Sequence, residues 1–75
     1  MKPSLLPERR ALVQHLFGEI TLALEIAHSF AVTGQSSKRS PEQYARCARC
    51  LQAAAQRVVT LAAAVDTVLS DGSGR

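Results

Sequence analysis

Residues 40–69 read SPEQYARCARCLQAAAQRVVTLAAAVDTVL, and the fold turns on this stretch. Ser40-Pro41-Glu42-Gln43 is a helix-start signal at every position. Ser40 is suited to the N-cap, and Pro41 to the first helical position, where its missing N–H costs nothing. Glu42 meets the positive end of the helix dipole. Gln43 stands where it can close a capping box with Ser40. Tyr44, Cys47, Leu51, Ala54, Val58, Leu61, Val65 and Val68 follow at alternating steps of three and four. That is the period of a helix seam and not of a strand. Ala48, Ala55, Ala62 and Leu69 widen the seam, while Arg46, Arg49, Gln56, Thr60 and Thr67 fall opposite it. The spacing predicts a helix over about 41–70, rich in alanine, the best helix former.

Upstream lies GQSSKRS, residues 34–40, a polar hinge of a length that joins antiparallel helices. Gly34 is expected at the C′ position of a preceding helix, in the left-handed conformation. That helix is predicted over about 5–33, with Ser4 as cap, Pro7 in the first turn and Glu8 at the dipole. Val13, Phe17, Ile20, Leu24, Ala27 and Ala31 form a seam expected to face the second helix. Beside it run Leu12, Leu16, Ala23, Ile26 and Phe30. Gln14, Gly18, Thr21, Glu25 and His28 form a narrow polar stripe opposite. The apolar face is wider than one neighbouring helix covers. Leu12, Leu16, Ile26 and Phe30, together with Tyr44, are therefore expected to bind a partner, although the two stripes are interchangeable on the sequence alone. The tail at 71–75 is expected to be disordered.

The expected fold is all-α: one domain over 1–75, a coiled-coil-like antiparallel hairpin of two helices that completes a bundle with a partner or a second copy. The 75 residues hold 47% hydrophobic and 20% charged side chains, which are globular values, but only three aromatic rings. A chain of this size builds a thin core and needs a staple or a companion. With 9 basic and 6 acidic residues the net charge is +3. The longest unbroken apolar runs are short, and Glu25 divides the one around 22–27. No signal peptide or membrane-spanning segment is expected, which points to the cytoplasm and to reduced thiols.

The chain carries little that looks chemical, and no enzyme, cofactor or metal is expected. Cys47 and Cys50 stand three apart on one side of a helix. A structural zinc ion takes four ligands, and only His15 and His28 remain to supply them. These lie thirteen residues apart, roughly 20 Å along a helix, too far for one metal. Cys47 fits the seam and Cys50 flanks it, and both read as small hydrophobes ahead of a metal or redox role. Neither histidine has a nucleophile or carboxylate at triad spacing, and Glu19 and Glu25 are six apart and do not face each other. Lys38, Arg39, Arg46, Arg49 and Arg57 make the hinge and early second helix basic, opposed there by Glu42. No base-reading set accompanies them, so a solvated face or steering toward an acidic protein is expected ahead of nucleic acid. Tyr44 is expected to pack over the hinge against Phe30 or Val32, its hydroxyl in water.

The stretch from Ser40, and in it Pro41, Gln43, Tyr44, Leu51, Ala54 and the seam through Leu61, resembles the E-component co-chaperones of type III secretion needle subunits. Those are small cytoplasmic helical hairpins, and many open their second helix with Pro-x-[Gln/Lys]-[Tyr/Phe]. Length, two-helix layout and hinge are also similar, over about thirty residues closely and over the first helix by pattern. The resemblance implies a partner: a larger tetratricopeptide-like chaperone, which the hairpin stabilises and which holds the needle subunit soluble and unpolymerised. The alternative is a self-associating hairpin, a dimeric four-helix bundle with a structural or adaptor role.

Overall fold

The capping box predicted at Ser40 forms. The Gln43 backbone N–H donates to Ser40 Oγ at 3.2 Å, and the Ser40 N–H donates to Gln43 Oε1 at 2.7 Å. From there the helix runs on without interruption. A computed structural model describes residues 6–72 and contains two helices, α1 (Pro7–Gly34) and α2 (Pro41–Gly72). Replacing Ser40 with alanine should remove the cap and lower stability by about 1 kcal/mol, read as a lower midpoint in a thermal melt followed by circular dichroism. An unchanged midpoint would show that the cap does not limit the start of α2.

At the start of α1, Pro7 occupies the first turn and Leu6 the N-cap position, without a side-chain cap bond. The cap expected from Ser4 lies outside the described residues, as do residues 73–75 of the expected tail; α2 itself continues through Asp71 and Gly72. The other end of α1 departs from expectation. Gly34 is the last helical residue, and Gln35 follows at φ −77°, ψ −12°, so no left-handed glycine closes the helix. The chain instead leaves through a tighter turn. The N–H of Gln35 donates to the Val32 carbonyl at 3.1 Å, and that of Ser36 to the Thr33 carbonyl at 3.2 Å.

The hinge over 35–40 is tied from α2. The Tyr44 hydroxyl donates to the Ser36 carbonyl at 2.5 Å at an exposed position, so it is a tether as well as the solvated group the sequence suggests. The Lys38 N–H donates to Ser36 Oγ at 3.2 Å. These bonds turn the chain back on itself, and α1 and α2 pack antiparallel in a rod of 57 × 18 × 17 Å. The register is consistent along the rod. Gly34 approaches Cys47 near the hinge, Glu19 meets Arg57 at mid-length, and Arg9 Nη1 donates to the Val68 carbonyl at 3.2 Å at the open end. The last contact supplies a donor to a carbonyl near the C-terminal end of α2, where a cation is favourable.

The helix seam of α2 is the predicted one from Cys47 onward, while Tyr44, expected at its start, is exposed. Cys47, Leu51, Ala54, Val58, Leu61, Val65 and Val68 are all buried or half-buried. The seam of α1 differs. Val13 and Ile20 turn inward, but so do Leu16, Ala23, Ala27 and Phe30, whereas Phe17 and Leu24 are each 53% exposed. The expectation that Phe17 and Leu24 face α2 is corrected: the interior position falls to small Ala23, 1% exposed, which lines the helix interface together with small Ala54, 8% exposed. Among the described residues the hydrophobic side chains that are fully buried are Ala23, Ala54 and Val65.

Candidate functional site

So small a core leaves most of the apolar surface of α1 outward. Leu12, Phe17, Leu22, Leu24, Ile26 and Val32 are all exposed, joined by Tyr44, Val59 and Leu69 from α2. Exposed residues of this size scattered singly need no explanation, but contiguous patches mark interfaces. Helical spacing sorts six of them, all but Leu22, Val32 and Val59, onto two sides of the rod.

On one side lie Leu12, Glu19 and Ile26, at heptad steps along α1, beside Arg46, Cys50, Ala53 and Arg57 of α2. Arg57 Nη2 donates to Glu19 Oε1 at 3.1 Å across this side, and His15 Nε2 stands 4.0 Å from Glu19 Oε2. The pair is solvated, and such pairs contribute about 0.2–1 kcal/mol. It fixes which flanks adjoin more than it stabilises them. We call this the arginine side.

On the other side lie Phe17, Leu24 and Ala31, again at heptad steps, beside Tyr44, Ala48, Leu51, Ala55, Ala62 and Leu69. Here the ionised residues of α2 between Tyr44 and Ala62, namely Arg46, Arg49 and Arg57, point away. A groove of about 420 Å³ opens at its hinge end between Ala31, Gly34, Tyr44, Ala48 and Leu51. This alanine side is uncharged through its middle, and its α2 half is low because its side chains are small.

The five residues singled out for partner binding are therefore not brought onto one surface. Leu12 and Ile26 are exposed on the arginine side. Leu16 and Phe30 are half-buried against α2, and Tyr44 edges the alanine side. Phe17 and Leu24, assigned by their spacing to the interior, are exposed. The signal that distinguishes the stripes is the size of the opposing residues, which needs the register to be known.

The two thiols are free and half-buried, Cys47 toward the seam and Cys50 at its edge. Among the described residues no group of three or more His, Cys, Asp or Glu side chains comes together to hold a metal. α1 is long and apolar enough, by length and composition, to cross a membrane, although its unbroken apolar runs are short. Glu25 stands on it two residues from both Ala23 and Ala27, hence on the side away from α2, and is exposed. Comparison with protein-family models, curated proteins and solved structures finds no match.

Proposed function

We propose that this hairpin is an interaction module that lays its alanine side on the helical surface of a larger protein and stabilises it. The observation that carries this reading is the inversion of size in α1: alanine is buried while Phe17 and Leu24 stand outside. A lone hairpin has no use for that arrangement, whereas a hairpin that adds a layer to a helical stack does. With the resemblance around Pro41, Gln43 and Tyr44, the best-supported partner is a tetratricopeptide-like chaperone, and through it a type III secretion needle subunit kept soluble in the cytoplasm. Glu25 favours protein over lipid as the cover of α1, since a charge at the centre of a spanning helix costs on the order of 2.5–3.5 kcal/mol. We read the chain as a binding protein and not an enzyme.

A second reading has its own support. Ala48, Ala55 and Ala62 recur every seven residues, a spacing that lets two hairpins close into a four-helix bundle. Sedimentation of the purified chain separates the two. Incomplete helicity with poor solubility, relieved by co-expression of a helical chaperone, supports the first; a compact dimer with a sharp melt supports the second. A stable, fully helical monomer that neither self-associates nor captures a helical partner would overturn both.

A further inference from the structure

The arginine side carries a groove that the alanine-side interface leaves open. Two depressions meet at Phe30. One, of about 310 Å³, lies between Ala23, Ile26, Phe30, Cys50, Ala53 and Arg57. The other, of about 210 Å³, continues toward the hinge past Thr33 and Gln43 to Arg46 and Arg39. The floor is apolar and the α2 rim is basic. From Gln43 to Arg57 is fourteen residues, a length of about 21 Å, which matches four turns of a helix.

The charges on the rim are unbalanced. Arg46 and Arg57 are eleven residues apart, almost exactly three turns, so they stand on one line about 16 Å from each other. Arg57 donates to Glu19 yet remains 57% exposed, and a guanidinium has five N–H donors. Among the described residues neither Arg39 nor Arg46 has an ion pair. The carboxylates nearby are Glu19, already engaged, and Glu42 beside the hinge. A second copy of this chain brings the same +3 charge and is disfavoured on this side. We propose that the groove binds an acidic amphipathic helix, with Leu-sized residues seated over Ile26, Phe30 and Ala53 and carboxylates about three turns apart meeting Arg46 and Arg57. Fork-shaped guanidinium groups suit carboxylates. This goes beyond the alanine-side docking and does not rest on it.

The test uses the full chain and two labelled helical peptides of about 16 residues, with leucine at positions one, four or five, and eight of each turn pair, flanked by Glu in one and by Lys in the other. Circular dichroism matches the helix content of every sample compared. The Glu-flanked peptide should bind about tenfold or more tightly than the Lys-flanked one, and weaken between about 50 mM and about 500 mM salt. Arg46→Glu, at an exposed position, should reverse the preference, and Ala53→Phe, which fills the groove, should weaken both peptides. Leu24→Glu, on the other side, should leave peptide affinity unchanged, so failure of the alanine-side interface is read separately. Equal binding of the two peptides, no binding by the helical chain, or loss of binding in Leu24→Glu with none in Arg46→Glu would overturn the proposal. So would a DNA duplex that outcompetes the Glu-flanked peptide, since the rim would then serve nucleic acid.

Discussion

Replacing Ala23 with leucine is expected to destabilise the hairpin more than any exposed substitution. Ala23 is 1% exposed and stands with Ala54, 8% exposed, at the inner wall of the groove of about 310 Å³ between the helices. Three further carbons must either push the helices apart or turn out of the interior into the neighbouring groove, away from α2. Overpacking of this kind costs about 1–3 kcal/mol. Among the described residues the buried apolar side chains are Ala23, Ala54 and Val65, so that loss is a large share of the total. A circular dichroism melt should show a lowered or absent transition. Ala53→Leu, one residue away but exposed, should melt within about 0.5 kcal/mol of the parent. If Ala23→Leu melted like the parent, the interior placement of Ala23 between α1 and α2 would be disproved.

The second large effect separates folding from docking. Leu24→Glu and Phe17→Glu place charges on side chains that are already outside, so helicity should survive. Each should weaken the assembled state, with a helical partner or a second copy, by about 2 kcal/mol or more, roughly thirtyfold, as loss of a central apolar anchor does. Leu16→Glu is the contrast. Although the sequence offers Leu16 as a partner contact, it is half-buried against α2, and a carboxylate there should reduce helicity directly. Analytical ultracentrifugation beside circular dichroism reads both properties on the same samples. Assembly that persisted in Leu24→Glu and Phe17→Glu would remove the alanine side as the interface.

α2 was legible because its pattern has contrast. Ser40, Pro41 and Gln43 mark its start by local chemistry that needs no neighbour, and arginine, glutamine and threonine mark the outer face of its seam. α1 lacks that contrast, being apolar over most of its circumference. Val13 and Ile20 belong to the seam under either assignment. The intervening step falls on Leu16 or Phe17, then on Ala23 or Leu24, then on Phe30 or Ala31, and each alternative is a helical period. Choosing the larger side chains gives the wrong line, because bulk on α1 has to match what α2 presents. Small Ala54 and Cys50 meet small Ala23 at the interface, and Phe17 and Leu24 are left outward.

The order of residues thus determined, through hydrogen-bonding caps and a three-four repeat that are properties of a single helix, that there are two long helices joined by a polar hinge. Only the packed pair decided which stripe of α1 is interior, that the Tyr44 hydroxyl holds Ser36, and that Arg46 and Arg57 line a groove whose floor includes Ile26 and Phe30. Those facts depend on the rotation of one rod against another. That rotation is set by the fit of opposing side chains, a quantity no single helix contains.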